Sequence, residues 1–189
     1  MSKIYLNKNN SRIIDIGCGS SSKLIDLVSL GFKQKNLYGI DINESDINFS
    51  KMNYPLLNLS CQNATKLDFK DNFFDLTYES TMFVQITNEE ISQNIAREMV
   101  RVTKTNGFII IFDWRFQKFK NPNFLACDQK RIQKMFSINK STKLISRENG
   151  MLIPPLGRFL SKHMSSSYFV VAKLLPFFVG HVSYILQKK

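Results

Sequence analysis

The sequence has few of the residues that bind metals or form disulfides. Its 189 residues include two histidines and three widely spaced cysteines, Cys18, Cys61 and Cys127. No pair of them has the spacing of a metal site, and an odd number of separated thiols is typical of a reducing compartment. Since the first residues also lack the pattern of a signal peptide, we expect a cytoplasmic protein without a bound metal.

Acidic residues are scarce in the C-terminal part of the chain. Residues 114–189 contain 14 Lys and Arg but two Asp and Glu, whereas residues 1–113 contain 12 and 13. The basic part is either an ordinary Lys-rich surface or a surface that faces an anion, such as a phosphorylated acceptor, a nucleic acid or an acidic lipid membrane. The hydrophobic content of 43% and the length are those of one compact domain.

Short apolar segments alternate with segments of helical periodicity over the first two thirds of the chain. The predicted strands are 12–16, 37–41, 56–62, 74–78 and 108–112. The predicted helices are 22–30, 45–54, 128–136 and one that follows a capping box of Thr87 with Glu90. Continuous apolar strands separated by helices predict an α/β fold with a parallel sheet that is covered on both faces.

Polar residues follow each of these five strands. They are residues 15–19, Asp41, residues 63–64, residues 78–80 and residues 113–115. Ligands of parallel sheets bind beyond the carboxyl ends of the strands, so all five clusters are expected at one binding edge.

The first of these clusters, within "DIGCGSSS", favours one of two ligand classes. A dinucleotide turn requires G-x-G-x-x-G, but Ser22 stands where the third glycine should be. Asp15 lies two residues before Gly17 and would repel a pyrophosphate, whereas it suits an ammonium group. S-adenosylmethionine has an ammonium group and no phosphate, and Gly17 and Gly19 allow the backbone to approach it closely. The alternative is an ordinary tight turn, which the acid Asp41 after the second strand disfavours.

Four stretches carry a family resemblance. "IIDIGCGSS", "LYGIDIN", "CQNATKLDFKDNFFDLTYES" and "EMVRVTKTNGFIIIFD" together resemble class I S-adenosylmethionine-dependent methyltransferases of the methyltransferase domain 11 type. The last stretch is similar to the family's E-x-x-R-V-L-K-P-G-G segment. The chain is also similar, in "ESTMFVQI", "DWRFQKFKNPN", "PPLGRFL" and "LPFFVGHVSYIL", to small bacterial members associated with surface polysaccharide genes, which implies a saccharide-type acceptor.

The resemblance implies a Rossmann-like, doubly wound seven-stranded sheet in a single domain, 1–189. It adds a sixth strand at 142–153 and a reversed seventh strand at 181–187. Residues 12–113 would then form the cofactor-binding core, and residues 114–189 the basic acceptor-side half. The usual N-terminal helix over the cofactor is expected to be short or absent, because about ten residues precede the first strand.

The resemblance also assigns nine residues to an S-adenosylmethionine site. They are Asp15, Gly17, Cys18, Gly19, Asp41, Ile42, Asn63, Ala64 and Glu79. The turn would surround the methionine part, with Asp15 near its ammonium group, and Asp41 would accept hydrogen bonds from both ribose hydroxyls. Asn63 would pair with the adenine amine through its carbonyl oxygen. Leu67 and Phe69 would either wall the adenine or fill the core.

Methyl transfer requires alignment of the acceptor with the methyl group more than it requires covalent catalysis. This proximity effect lowers the barrier by up to roughly 7–11 kcal/mol. A hydroxyl acceptor would also benefit from a general base, worth about 10²- to 10⁴-fold. Glu79 and Asp113 are the candidate bases, and both could equally be strand-end caps. Tyr78, Trp114 and Arg115 are expected to shape the acceptor side.

Three other functions stay open. An NAD-dependent oxidoreductase would need the missing glycine. A nucleic-acid methyltransferase would use the basic half, but "YEST" stands where an N-P-P-Y-like segment belongs, which argues against nucleic acid as a partner. A non-catalytic partner protein of the same fold would be expected to have lost the glycines or Asp41.

A segment at about 154–180 is too long for a hairpin between the last two strands. It predicts one or two amphipathic helices broken at Pro176, forming a lid, a peripheral contact with the inner face of a membrane, or plain core packing. The cations that would aid the membrane contact are Arg158, Lys162 and Lys173. The apolar run 168–186 is interrupted by charge and by proline, which argues against a spanning helix.

Overall fold

A seven-stranded sheet forms the centre of the computed structural model, which describes residues 4–117, 121–164 and 167–189. The strands are β1 (Ile13–Ile16), β2 (Leu37–Asp41), β3 (Asn58–Cys61), β4 (Phe74–Ser80), β5 (Thr103–Trp114), β6 (Thr142–Asn149) and β7 (His181–Lys188). The helices are α1 (Ser22–Ser29), α2 (Glu44–Asn53), α3 (Glu89–Val102), α4 (Gln129–Met135), α5 (Pro154–His163) and α6 (Tyr168–Leu174).

The strand order is β3-β2-β1-β4-β5-β7-β6. Strands β1 to β5 pair in parallel, and β7 runs antiparallel to both β5 and β6. The predicted α/β fold with a reversed last strand is therefore confirmed. The chain order changes direction between β1 and β4, and the carboxyl ends of these two strands are where ligands of open α/β sheets bind.

The two faces of the sheet bury separate cores. Alternation along β1 directs Ile14 and Ile16 into the core that includes Ile95 and Met99 of α3, whereas Ile13 packs with Leu24 of α1. Both faces of the strand are covered, which explains why its sequence is apolar at neighbouring positions. Phe69 contacts an aromatic group of Tyr38, Phe73 and Phe74, and Leu67 is buried in the first core, so both fill the core.

Three of the predicted boundaries that differ from the structure have a physical explanation. The cap of α3 is Asn88, not Thr87, because the Asn88 side chain accepts hydrogen bonds from the backbone N–H groups of two following residues. The fifth strand, predicted at 108–112, already begins at Thr103, and Asn106 lies inside β5 with φ 63°. The sixth strand ends at Asn149, because the chain turns away and Pro154 begins α5.

The E-x-x-R segment fixes the loop that follows β3. Glu98 accepts a hydrogen bond from the Leu67 N–H at 2.7 Å and pairs with Arg101 at 2.7 Å. Arg101 donates to the carbonyl oxygens of Leu67 and Phe69 and to the Asp71 carboxylate. The motif is therefore a structural clamp, and it lies away from the binding edge of the sheet.

Replacing Arg101 with methionine is expected to lower the free energy of unfolding by about 2–4 kcal/mol, because two carbonyl groups and Glu98 lose a charged donor. Urea denaturation measures the change. Arg97→Met, at an exposed position of the same helix, is the matched control and should change stability by less than about 0.5 kcal/mol. Equal effects of the two substitutions would contradict the clamp.

Candidate active site

A cleft of about 780 Å³ opens at the carboxyl ends of β1, β2 and β4. Its walls come from the turn after β1 and from within residues 40–46, 62–65 and 80–95. This volume is typical of a site for a ligand the size of a nucleoside derivative. Six of the nine predicted cofactor residues lie in these walls: Gly17, Gly19, Asp41, Ile42, Asn63 and Ala64.

The backbone N–H groups of the turn after β1 donate hydrogen bonds to the end of β2. Gly17 and Cys18 both donate to the carbonyl oxygen of Ile40, at 2.8 and 2.9 Å, and Gly19 donates to Asp41 Oδ2 at 2.8 Å. A pyrophosphate site would offer such donors to the ligand. Since these three are already bonded, the turn is unsuited to a dinucleotide.

The turn presents bare backbone to the cleft. Gly17 and Gly19 have φ values of +76° and +48°, which favour glycine. A Cβ at Gly19 would meet no atom within 4 Å, so it would project into open space that a ligand can occupy. Ser21 has φ 62° and is fully buried, so the turn keeps a left-handed residue where the family often has glycine.

Asp41 organises the end of β2. Its Oδ2 accepts from the Gly19 N–H, and its Oδ1 accepts from the Asn43 N–H at 2.9 Å. Each carboxylate oxygen keeps a further acceptor site, so both can also take a hydrogen bond from a ligand hydroxyl. Beside it, Ile42 is 74% exposed and supplies an apolar wall.

Asp15 is a buried carboxyl group near the turn. It is 2% exposed, and among the described residues its Oδ1 has no hydrogen-bond partner. Burial, followed by the charge of Asp41, raises the pKa of Asp15 to about 7. Asp15 does not line the cleft, but a buried carboxyl oxygen without a hydrogen-bond partner, next to a ligand site, suits a cationic group.

The loop after β3 differs from its prediction in one respect. Asn63 and Ala64 line the cleft as predicted. However, Asn63 Oδ1 accepts from both the N–H and the hydroxyl of Thr65, at 3.0 and 2.8 Å. An amide oxygen has two acceptor sites. Pairing of this oxygen with an adenine amine therefore requires Thr65 to give up one of its bonds.

Cys18 lies outside the cleft walls. The thiol belongs to the core formed with Leu24, and burial raises its pKa to about 12. It therefore anchors the turn to α1 as an apolar side chain and does not act as a nucleophile.

Glu79 and Asp113, the candidate bases, are fully buried and also lie outside the cleft walls. Glu79 accepts from the Met82 N–H at 3.0 Å, and Asp113 accepts from the Val84 N–H at 2.9 Å. Burial and then the neighbouring Asp113 raise the pKa of Glu79 well above its usual range, and burial raises that of Asp113. Two carboxyl groups thus hold the backbone at 82–84, which lies between the cleft-lining residues Met82 and Gln85.

A buried arginine lies near Asp113. Arg131 donates to the carbonyl oxygens of Leu125 and Ile86 and to the hydroxyl of Ser92, and its charge offsets a small part of the burial that raises the pKa of Asp113. The arrangement favours positioning of the loop over proton abstraction. The base role of Glu79 and Asp113 stays a prediction, which substitution can test.

Glu79→Gln is expected to keep cofactor affinity and turnover within about threefold of the wild type, because the glutamine oxygen accepts the Met82 N–H as the protonated acid does. Glu79→Ala should weaken both, since it leaves that N–H without its acceptor. Turnover and calorimetric affinity are measured in parallel. If Glu79 is a general base, the glutamine variant will lose about 10²-fold or more in turnover with unchanged affinity.

Tyr78, Trp114 and Arg115, predicted on the acceptor side, do not line this cleft. Burial raises the pKa of Tyr78 to about 12. The Trp114 ring meets His181 edge-on at 4.7 Å, and Arg115 donates to the carbonyl oxygen of Pro176. Trp114 therefore packs on the start of β7, and Arg115 joins the end of β5 to the turn after α6.

Several cleft residues were absent from the sequence prediction. Thr81, Met82, Gln85 and Asn88 lie in the loop after β4, and Met82 lies against Gly17, where a Cβ would come within 3.1 Å of its sulfur. The rule that ligands bind beyond strand ends could have identified this loop. Of the described residues at 154–180, none lines the cleft, so the predicted lid is not closed over it.

Comparison with known proteins gives one family match and several partial relatives. A family model described as "Methyltransferase domain" matches residues 7–151. The demethylmenaquinone methyltransferase of Streptomyces avermitilis is 30% identical over 105 residues, which are 54% of this chain and 42% of that protein. The Bacillus cereus protein of the same name is 28% identical over 111 residues, 56% and 46% of the two chains. The chain thus spans less than half the length of these relatives.

Solved structures share the fold at low identity. An S-adenosylmethionine-dependent methyltransferase from Methanosarcina mazei has a TM-score of 0.70 at 16% identity, covering 98% of this chain and 94% of that one. The cyclase SpnF has a TM-score of 0.68 at 15% identity, covering 95% and 75%. These likenesses concern the fold alone, since proteins of different activities share it.

Proposed function

The chain belongs to the class I S-adenosylmethionine-dependent methyltransferases, and on this premise we propose that it transfers a methyl group to a small, lipid-linked acceptor. The observation that carries the proposal is the cleft at β1 and β2. In this cleft Asp41 fixes the turn after β1. The N–H groups of the turn are already hydrogen-bonded within the protein, and its glycine backbone is open to a ligand.

The described residues fit S-adenosylmethionine, the cofactor of this family. Asp41 offers acceptors to the ribose hydroxyls, Ile42 and Ala64 supply apolar wall, and the unpartnered Asp15 oxygen suits the ammonium group. The cofactor supplies an activated methyl group: the electron pair of the acceptor forms the new bond to carbon while the carbon–sulfur pair stays on sulfur. The role of the protein is to align the acceptor and to exclude water.

The cleft walls favour an acceptor that brings its own ionisable group. Asp41 and Asp46 are the acidic residues in the described walls; Asp41 ends β2 and Asp46 lies in the first turn of α2. The loop after β4 and the first turn of α3 contribute neutral side chains instead, among them Thr81, Gln85 and Ile91. With no base in that wall, a phenol or enol that loses its proton to water is a better substrate than an alcohol.

Two acceptor classes fit this description to different degrees. The saccharide-type acceptor expected from the sequence has alcohol groups, which the neutral wall does not activate. A lipid quinol has an acidic hydroxyl and an apolar ring, and two partial relatives carry a name that refers to such a quinone. We therefore rank a lipid quinol first and a lipid-linked saccharide second.

The test uses S-adenosylmethionine labelled in the methyl group. Purified protein is incubated separately with a ring-unmethylated lipid quinol and with a polyprenyl-linked saccharide in detergent micelles, and the label in the lipid extract is counted. Asp41→Ala is the control and should lose transfer. Label in the quinol supports the lipid quinol as the preferred acceptor, and label in the saccharide alone reverses the order of the two acceptors. Tight binding of S-adenosylhomocysteine without transfer to either would contradict a lipid-linked acceptor of these classes.

A further inference from the structure

The segment 151–180, here called the insert, builds a small core of its own. Leu152 and Val179 form a β-bridge, and one side of each helix, α5 and α6, packs against these two residues. The residues of this core are Leu152, Leu156, Leu160, Val171, Ala172, Phe178 and Val179. The apolar inner sides of α5 and α6 are therefore buried within the insert itself, and the cleft is not needed to cover them.

The outer faces of both helices combine apolar and cationic side chains. On α5, Pro155, Arg158, Phe159 and Lys162 are exposed at the spacing of one helical stripe. Phe159 is 56% exposed in spite of its size. A helix that only covers a core would have polar residues on this side.

The same composition continues on α6 and the turn after it. Val170, Lys173 and Leu174 are exposed at spacings of three and four residues. Phe177, in the turn Pro176–Phe178, is 61% exposed. Of the fifteen large apolar side chains that are exposed in the described part of the chain, seven lie in residues 151–177. Such a concentration on one segment marks an interaction surface.

The positive charge of the insert indicates which kind of surface it binds. The insert contains Arg158, Lys162 and Lys173, and the sequence has no Asp or Glu after Glu148. Lysines are depleted in the centres of protein interfaces, where they would lose their hydration. Aromatic and aliphatic residues flanked by cations are typical of peptide faces that lie in the interface of an anionic bilayer. No helix in the described residues is long and apolar enough to cross a membrane.

We propose that the outer faces of α5 and α6, with the turn Pro176–Phe178, bind the surface of a bilayer that contains anionic lipids. The cations attract the lipid headgroups, and Phe159, Leu174 and Phe177 enter the interfacial layer. Arg115 at the end of β5 donates to the carbonyl oxygen of Pro176, so the bilayer surface would adjoin the binding edge of the sheet. The proposal does not depend on methyl transfer.

The experiment is co-sedimentation of the full chain with vesicles of phosphatidylcholine, with and without 30% phosphatidylglycerol. At low salt, the wild type should bind the anionic vesicles at least about tenfold more strongly than the vesicles of phosphatidylcholine alone, because each cation near an anionic surface contributes about 1 kcal/mol. Salt at 0.5 M should reduce the binding to the anionic vesicles. Arg158→Gln/Lys162→Gln/Lys173→Gln should lose the preference for anionic vesicles. Phe159→Ser/Phe177→Ser should weaken binding about tenfold with the charge intact.

Control variants carry the same kinds of change elsewhere. Lys33→Gln/Lys35→Gln/Lys51→Gln removes three exposed cations, and Phe49→Ser removes a phenyl ring that is 54% exposed; both should bind vesicles like the wild type. Unchanged thermal unfolding and S-adenosylhomocysteine affinity show that each variant is folded. These measurements contain no acceptor, so they separate this proposal from the proposed function.

Three outcomes would overturn the membrane surface. The first is no sedimentation of the wild type with anionic vesicles at low salt. The second is equal loss of binding in the control and insert variants. The third is a dimer in lipid-free solution that Phe159→Ser/Phe177→Ser converts to a monomer, because the insert would then be an interface between two copies of the chain.

Discussion

Asp41→Ala is expected to weaken S-adenosylhomocysteine binding at least about 100-fold. The substitution removes two acceptors for ribose hydroxyls, and each hydrogen bond to a charged group is worth about 1.5–3 kcal/mol. It also frees the Gly19 N–H, which Asp41 holds at 2.8 Å, so the turn loses its fixed position. Calorimetric titration of the purified protein measures the change directly.

Two further variants separate these contributions. Asp41→Asn keeps one carbonyl acceptor and should bind with an affinity between those of the wild type and the alanine variant. Asp46→Ala removes another carboxylate of the same cleft, one that accepts from Asn43 Nδ2, and should change affinity by less than about fivefold. An Asp41→Ala protein that binds like the wild type would exclude this cleft as the cofactor site.

Asp15→Asn is expected to have opposite effects on stability and on binding. The folded state raises the pKa of this carboxyl from 3.8 to about 7. Ionisation therefore opposes folding, and stability falls as pH rises from about 4 to 7. The neutral amide avoids this loss. In the absence of ligand, the variant should be more stable than the wild type at pH 8, by up to about 4 kcal/mol.

The stability difference should shrink as pH falls from 7 toward 4 and vanish below about pH 3, where Asp15 is protonated in both the folded and the unfolded state. Urea denaturation at several pH values measures it, with the exposed Asp26→Asn as the control. S-adenosylhomocysteine should bind the Asp15→Asn protein about tenfold or more weakly, because its ammonium group loses a carboxylate. In the wild type, binding at pH 7 should release a proton, which is measurable as a heat that depends on the buffer. A stability difference that is constant with pH would contradict this account.

Much of the fold was predictable because the strands are buried on both faces. Segments such as 37–41 must then be apolar at neighbouring positions, and such runs are recognisable without knowledge of their partners. The errors lie where local signals compete. Thr87 and Asn88 are both good caps, and the choice depends on which side chain reaches the helix N–H groups. Asn106–Gly107 is typical of a turn, and the pairing of β5 with β4 is irregular there: Thr103 pairs with Phe74 and the next pair is Phe108 with Leu76, so β5 passes through these residues as a bulge.

The candidate site was predictable where backbone conformation decides the residue. Gly17 and Gly19 are required by their positive φ values, and Asp41 by its place at the end of β2. Glu79 and Asp113 show the limit of this reasoning. A carboxyl group after a strand can face the cleft or the core, and only the packing of α3 and α4 on that face of the sheet shows that both face inward. Met82 and Gln85 have no sequence signal beyond their position in a loop.

The hydrogen bonds between the β1 turn and the end of β2 bear on how ligand preference could be redesigned within this fold. Restoring the missing third glycine by Ser22→Gly would complete a dinucleotide consensus on paper. The substitution would leave the N–H groups of Gly17 and Cys18 bonded to Ile40 and that of Gly19 bonded to Asp41. Conversion to a phosphate binder therefore has to begin with the second strand, because β2 decides which donors the first turn can offer.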